Sequence, residues 1–153
     1  INVVTTKDLR WKRVDIKSLN LLAPVLAKQF AYEKNAQEAW LVDDDGFITE
    51  GSSSNAWILI GNTVYTRPVS SSILNGITRK TLMKGLGKYG YKFKEKKFNL
   101  KDIKKSKEAY ITSATQYVMP VTKIDNQKIG NGRVGKFAKH FKDIYLESVQ
   151  LSD

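Results

Sequence analysis

The sequence AWLVDDDGFITE, residues 39–50, contains two β-rich runs on either side of an Asp-Gly turn. The sequence WILIGNTVYT, residues 57–66, repeats this arrangement around Gly61-Asn62. Because such turns tolerate positive φ and join antiparallel strands, each segment predicts a β-hairpin. Two hairpins in succession indicate that the strands are grouped and do not alternate strictly with helices.

Helical patterns lie on both sides of the hairpins. Between Ser18 and Asn35 apolar residues recur at helical spacing, with Pro24 acceptable only near a first turn. A second helix is predicted from Gly76 to Gly90, although Gly85 and Gly87 weaken it. A terminal helix is predicted from residues that share one apolar face: Val134, Phe137, Ala138, Phe141, Ile144 and Tyr145.

Shorter elements complete the pattern. Strands are predicted over residues 1–4, 92–98, 109–113 and 118–124, and a short helix over residues 100–106. This is an α+β pattern, and 153 residues are sufficient for one domain with a core of its own. The most apolar early stretch is too short and too polar to span a bilayer, so we expect no membrane segment.

The composition excludes several kinds of chemistry. The chain has no cysteine and one histidine, so disulfides, thiolate metal sites, cysteine nucleophiles and Ser-His-Asp triads lack their usual parts. We therefore expect a reducing, cytoplasmic compartment and no metal site. The chemistry must come from lysine, carboxylate, hydroxyl or backbone groups.

The formal charge of +11 raises the possibility of nucleic-acid binding, because basic surfaces gain affinity for phosphate backbones. The basic residues are 21 Lys and only 5 Arg, and many of them lie between Arg79 and Lys107 in segments whose other face is apolar. We interpret them as a solvated surface and expect no nucleic-acid partner.

Two conspicuous features have structural interpretations. His140 lies off the apolar face of the terminal helix, so we interpret it as a surface residue. Asp43, Asp44 and Asp45 precede Gly46, where aspartate is favoured by turn geometry and need not act as a catalyst.

Three segments stand out from this background. They are DIKSLNLL at 15–22, TEGSSSN at 49–55 and ILNGITR at 73–79. Each alone has an ordinary explanation: a solvated lysine between a short strand and a helix, a glutamate in a turn, and a threonine at a helix start. In this order and spacing, however, they resemble the class IV pyridoxal-phosphate aminotransferases, of the D-amino-acid transaminase type. The resemblance extends from about Asp8 to the terminal helix.

The resemblance implies a role for two catalytic residues. Lys17 matches the lysine that holds pyridoxal 5'-phosphate as a Schiff base and then carries a proton. Glu50 matches the carboxylate that faces the pyridine nitrogen and keeps it protonated.

Five further residues are implied in cofactor binding. Leu74 matches an apolar side chain against the ring, and Ile77 and Thr78 match a helix start that binds phosphate. Ser113 and Ala114 match a second phosphate-binding turn. Ala114 departs from the family pattern, which has a hydroxyl residue here, so Thr115 or Ser113 is expected to compensate.

The fold implied is that of the larger, C-terminal domain of fold type IV enzymes, with mixed, barrel-like strands and flanking helices. Residues 1–153 then form a single cofactor-binding domain, and because the chain begins at Ile1 we expect an N-terminal domain to be absent from it. The resemblance also implies a homodimer. The isolated chain is expected to be folded but inactive.

The function implied is transfer of an amino group from a D-amino acid such as D-alanine to a 2-oxo acid. Aminodeoxychorismate lyase and branched-chain aminotransferase remain alternatives on the same fold. Alternatives without catalysis are a basic nucleic-acid-binding domain and a cofactor-free scaffold.

Overall fold

The computed structural model describes residues 1–150, which contain ten strands and four helices joined by turns and loops. In chain order they are β1 (Asn2–Lys7), α1 (Leu22–Glu33), β2 (Glu38–Val42), β3 (Ile48–Gly51), β4 (Asn55–Ile60), β5 (Thr63–Thr66), α2 (Ile77–Lys88), β6 (Lys92–Glu95), α3 (Leu100–Ile103), β7 (Glu108–Ser113), β8 (Tyr117–Val121), β9 (Lys123–Ile124), β10 (Gln127–Lys128) and α4 (Lys136–Gln150). Within residues 1–150, no helix is both long and apolar enough to cross a bilayer.

The strands form two five-stranded mixed sheets, which confirms the predicted α+β class. The first sheet has the order β10-β9-β1-β2-β3 and the second the order β6-β5-β4-β7-β8. Both are open, so the barrel-like arrangement is limited to two facing sheets, with no closed barrel among the described residues.

Both predicted hairpins are present. The turn between β2 and β3 contains Gly46 at a φ of 82°, and the turn between β4 and β5 contains Gly61 at a φ of 60°. Glycine is favoured at both positions because a Cβ atom is disfavoured at positive φ. Asp43 belongs to the first turn, where its carboxylate accepts a hydrogen bond from the Phe47 amide at 2.8 Å, which confirms its structural role.

The core consists of three clusters that arrange the elements in four layers. The first cluster lies between the two sheets and includes Trp40 and Ile58. The second joins the other face of the second sheet to α2 and α4 and includes Trp57 and Phe141. The third joins α1 to the first sheet. Trp57 and Ile58 are adjacent in β4, so the two-residue strand period places them in different clusters.

The predicted strand over residues 118–124 is wrong as a single element. β8 pairs with β7 in the second sheet, whereas β9 pairs in parallel with β1 in the first. The chain changes sheets at Thr122, whose amide donates to the Ile1 carbonyl at 2.9 Å. Val121 and Ile124 both enter the inter-sheet core, so the run is apolar on both sides of the crossing.

Helix α2 forms although it contains two glycines, because Gly85 allows close packing. A Cβ atom at Gly85 would overlap the Ile144 side chain on α4. The weak intrinsic propensity is therefore offset by tertiary contact between the two helices.

Helix α4 confirms most of the predicted terminal face. Ala138, Phe141, Ile144 and Tyr145 are buried, but Val134 precedes the helix and is 60% exposed. The helix begins at Lys136, after Val134. Its start is capped by the Glu108 carboxylate, which accepts hydrogen bonds from the amides of Phe137 at 3.3 Å and Ala138 at 3.1 Å. His140 is exposed as predicted, and its ring centroid lies 6.1 Å from that of Tyr89 and 5.6 Å from that of Tyr91.

The basic run between residues 79 and 107 is solvated except at its start. Its lysines are all exposed. Arg79, by contrast, is 2% exposed and pairs with Glu95. The interpretation as a solvated face is therefore wrong for Arg79, whose guanidinium also donates to the Arg67 carbonyl at 3.0 Å.

Candidate active site

A cavity of about 480 Å³ opens where four separate parts of the chain meet. They are the loop before α1, the end of β3 with the turn that follows it, the start of α2, and the turn between β7 and β8. All seven residues predicted from the sequence line this cavity: Lys17, Glu50, Leu74, Ile77, Thr78, Ser113 and Ala114. The fold thus brings together side chains that are far apart in the sequence.

Lys17 lies on the loop formed by residues 8–21, which contains turns but no strand. The prediction that it lies between a short strand and a helix is confirmed by the order β1, loop, α1, but Lys17 is not at the end of the strand. Its side chain is exposed toward the cavity, and among residues 1–150 its ammonium group has no hydrogen-bond or ion-pair partner. The amine is therefore available to a ligand.

Glu50 is near the end of β3 and is 5% exposed. Its oxygens accept hydrogen bonds from Arg10 Nη1 at 2.5 Å, from Asn55 Nδ2 at 2.8 Å, and from the Leu74 amide at 3.1 Å. These three donors fix the plane of the carboxylate at the cavity wall.

The protonation of Glu50 is set by opposing effects. Burial raises its pKa, because a carboxylate loses hydration on leaving water, while the charge and hydrogen bond of Arg10 lower it. Burial is the stronger effect, so the pKa is raised from 4.5 to about 7. Glu50 can therefore exchange a proton near neutral pH.

Arg10 is a residue that the sequence analysis missed. Its side chain also binds Asp8, with Nε 2.9 Å from Oδ1 and Nη2 2.8 Å from Oδ2. Burial raises the pKa of Asp8, but the hydrogen bonds and charge of Arg10 outweigh it, so this pKa lies below its ordinary value. The Arg10–Glu50 contact spans 40 positions, and no local pattern signals it.

The start of α2 is suited to an anion. Gly76 caps the helix without a side-chain hydrogen bond, and the first turn contains no acidic residue. Thr78 Oγ1 is buried at the cavity and has no hydrogen-bond partner among the described residues. An orphaned buried hydroxyl beside free helix amides fits an absent phosphate group.

Gly76 is needed at this position because the helix start approaches β4 closely. A Cβ atom there would lie 2.6 Å from Asn55 Oδ1. Asn55 in turn donates to the Leu74 carbonyl at 2.8 Å as well as to Glu50. One amide side chain therefore connects the carboxylate to the segment that enters α2.

The turn between β7 and β8 supplies the remaining wall. Ser113 Oγ accepts a hydrogen bond from the Gln116 amide at 3.1 Å and lies 3.5 Å from Thr115 Oγ1. Ala114 is exposed and offers no side-chain donor. The expectation that Thr115 or Ser113 compensates for Ala114 remains a prediction.

Residues 1–150 contain no group of three or more His, Asp or Glu side chains suited to hold a metal ion. The cavity instead combines one free amine, one buried carboxylate and one helix start.

The sequence is similar to those of known aminotransferases. The family model described as amino-transferase class IV matches residues 2–124. A D-alanine aminotransferase of Bacillus licheniformis is 42% identical over 149 residues, which cover 97% of this chain and 52% of the relative. One from Staphylococcus epidermidis is 41% identical over 150 residues, covering 98% of this chain and 53% of the relative.

Solved structures agree in fold. The T.th. branched-chain amino acid aminotransferase complexed with N-(5'-phosphopyridoxyl)-L-glutamate aligns with a TM-score of 0.90 and 28% identity. The alignment covers 95% of this chain and 51% of that one. The present chain thus spans about half the length of the relatives that it matches.

Proposed function

The chain belongs to the amino-transferase class IV family, and from this membership we propose that it carries the cofactor-binding half of a pyridoxal-phosphate-dependent D-amino-acid transaminase. The reaction moves an amino group from a D-amino acid such as D-alanine to a 2-oxo acid. The observation that carries the proposal is the meeting of Lys17, Glu50 and Thr78 in one cavity.

The donor set fits the cofactor group by group. Lys17 offers an amine without a competing partner among the described residues, so its Nζ can hold the aldehyde carbon covalently. Thr78 Oγ1 has no partner among the described residues and the first-turn amides of α2 have no side-chain cap, so these groups would hold the phosphate. Leu74 and the exposed Ile77 provide apolar surface at the cavity wall.

Bound pyridoxal 5'-phosphate supplies an electron sink for the bond to the α-carbon of the substrate. Glu50 would accept a hydrogen bond from the protonated ring nitrogen and stabilise its positive charge. Arg10, Asn55 and the Leu74 amide hold the carboxylate in place for this task. The Lys17 amine would take the proton from the substrate α-carbon and deliver it to carbon C4′ of the cofactor.

The D-amino acid is favoured by the degree of similarity. The relatives named D-alanine aminotransferase are 42% and 41% identical to this chain, compared with 28% for the branched-chain enzyme. We propose further that the complete enzyme has an N-terminal domain and works as a homodimer in the cytoplasm.

The test is covalent labelling of the full-length protein. Borohydride reduction in the presence of pyridoxal phosphate, followed by peptide mapping, is expected to place the label on Lys17. The Lys17→Met variant should lose the label and the visible absorbance of the bound cofactor. Lys12→Met is the matched control, because Lys12 lies on the same loop but its side chain is 90% exposed and does not line the cavity.

A label on other lysines with none on Lys17 would contradict the proposal. So would loss of label in Lys12→Met together with retention in Lys17→Met.

A further inference from the structure

Glu38 is a buried carboxylate to which the proposed reaction assigns no role. It is the first residue of β2, is 1% exposed and does not line the cavity. Burying a charged group without partners is costly, so its contacts indicate what holds it there.

The partners of Glu38 are mainly the hydroxyls of Ser52, Ser53 and Ser54, which we call the serine turn. Ser52 donates to Oε1, and Ser54 donates to Oε2 at 2.9 Å. Ser53 donates to Oε2 at 3.4 Å. All three serines line the cavity, and Gly51 separates them from Glu50.

Packing around the serine turn leaves little room for adjustment. A Cβ atom at Gly51 would overlap Ser54 Oγ and lie 3.2 Å from Glu38 Cδ. The Gly51 amide also donates to the Ser54 carbonyl at 2.6 Å. The turn is therefore held from both its backbone and its side chains.

Glu38 also contacts helix α1. Lys28 on α1 places its Nζ 3.6 Å from Glu38 Oε1 and donates to the Gln37 carbonyl at 2.5 Å. Helix α1 follows the loop that carries Lys17, and the serine turn follows Glu50. One carboxylate therefore connects the elements that position the two proposed catalytic groups.

The donor and acceptor groups of the serine hydroxyls determine which ligand groups the serine turn can bind. A hydroxyl has one proton and two lone pairs. Because Ser52 and Ser54 donate their protons to Glu38, away from the cavity, these two hydroxyls retain only lone pairs for other partners. Ser53 is exposed and makes only a long contact of 3.4 Å with Glu38. The remaining capacity of Ser52 and Ser54 complements a hydrogen-bond donor.

We propose that Glu38 is a positioning residue that fixes the serine turn and orients its hydroxyls to accept from the amino group of the substrate. This inference rests on the proposed transaminase function. An amino acid carries such a donor, whereas a 2-oxo acid has only acceptors. The turn therefore favours the amino-acid substrate over the oxo acid.

The test separates the two substrates in the full-length enzyme. In Glu38→Gln the amide NH₂ cannot accept, so at least one serine must turn its proton toward the cavity. We expect the KM for D-alanine to rise about tenfold, as for the loss of one hydrogen bond, and the KM for 2-oxoglutarate to change less than about twofold. Equal changes in the two values would overturn the inference.

Glu108→Gln is the matched control. Glu108 is also a partly buried carboxylate that accepts several hydrogen bonds, but it binds the start of α4 and does not line the cavity. This variant is expected to leave the ratio of the two KM values unchanged. A similar change in ratio would show that Glu38 acts only through general stability.

A second variant and a second measurement apply if Glu38→Gln does not fold or if the enzyme is inactive. If Glu38→Gln does not fold, Glu38→Asp is expected to raise the D-alanine KM selectively by a smaller factor, and equal changes again overturn the inference. If the wild-type enzyme has no transaminase activity, the proposed function fails. Amide hydrogen exchange then tests only whether Glu38 fixes the serine turn: faster exchange at residues 52–54 in Glu38→Gln, but not in Glu108→Gln, supports that part of the inference, and unchanged exchange overturns it.

Discussion

At the scale of single residues, the site depends on how burial and charge act on Glu50. Its pKa in the folded state is raised to about 7, above the value of 4.5 for a free side chain. The protonated form therefore stabilises the fold: this contribution is complete below pH 4.5 and is lost as the pH rises through about 7. Arg10 opposes the effect of burial and keeps part of the population ionised near neutral pH.

Replacing Arg10 tests this balance. Arg10→Met removes the cation, so we expect the pKa of Glu50 to rise by about 1–3 units, as for loss of an opposite charge at contact distance. Arg10→Lys keeps a charge and should give a smaller rise. The measurement is a carbon NMR titration of the carboxyl groups, with Glu50→Gln identifying the signal.

An unchanged titration in Arg10→Met would contradict the assignment. It would mean that Asn55 and the Leu74 amide alone determine the protonation of Glu50.

At the scale of elements, the start of α2 concentrates several donors in one place. The amides of the first turn have no side-chain cap, and Thr78 Oγ1 is buried without a partner among the described residues. The positive end of the helix dipole adds to their attraction for an anion. Most of the binding should therefore come from backbone groups and less from the threonine hydroxyl.

This distribution predicts how binding responds to two changes. Omitting the phosphate, by using pyridoxal in place of pyridoxal phosphate, should weaken binding about 100-fold or more, because several charge-assisted hydrogen bonds are lost. Thr78→Ala should weaken binding of pyridoxal phosphate only about tenfold. Both affinities can be measured from cofactor absorbance in the full-length protein.

Thr122→Ala is the control for a threonine outside the cavity, and it should bind pyridoxal phosphate as the wild type does. Equal affinities of the wild-type protein for pyridoxal and pyridoxal phosphate would exclude a phosphate site at α2.

At the scale of the whole molecule, four layers surround a core, but the cavity has an exposed apolar rim. The core extends from α1 through both sheets to α2 and α4. Around the loop that carries Lys17, Trp11 is 42% exposed, Leu21 is 51% exposed and Leu22 is 70% exposed. A cluster of this kind is typical of a surface that another domain or subunit covers.

From this arrangement we predict that the 153-residue chain alone unfolds cooperatively yet has little activity. The core is sufficient for a stable fold, but a cavity with an exposed rim holds substrate poorly, and positioning can lower a barrier by about 7–11 kcal/mol. The measurement is a parallel assay of this chain and the full-length protein with D-alanine and 2-oxoglutarate, with circular dichroism to verify folding. Comparable turnover would show that the chain contains a complete active site.

Most local elements and the residues proposed for the site could be predicted from the sequence. Hairpins around Gly46 and Gly61 were predictable because turn residues and strand periodicity act over a few positions. The family segments around Lys17, Glu50 and Thr78 identified residues that do line one cavity. The order and spacing of these short segments were therefore sufficient to name the residues.

Contacts between residues that are distant in the sequence could not be predicted in this way. Residues 118–124 are apolar on both sides of Thr122, so no local signal marks the crossing between sheets there. Nothing in the local sequence distinguishes Arg10 from a surface arginine, whereas in the fold its Nη1 lies 2.5 Å from Glu50 Oε1. Nothing in the local sequence distinguishes Glu38 from an exposed strand residue, whereas in the fold it accepts hydrogen bonds from Ser52 and Ser54. Such contacts depend on burial and long-range packing, because a charge in a low-dielectric interior persists only where the fold supplies its partners.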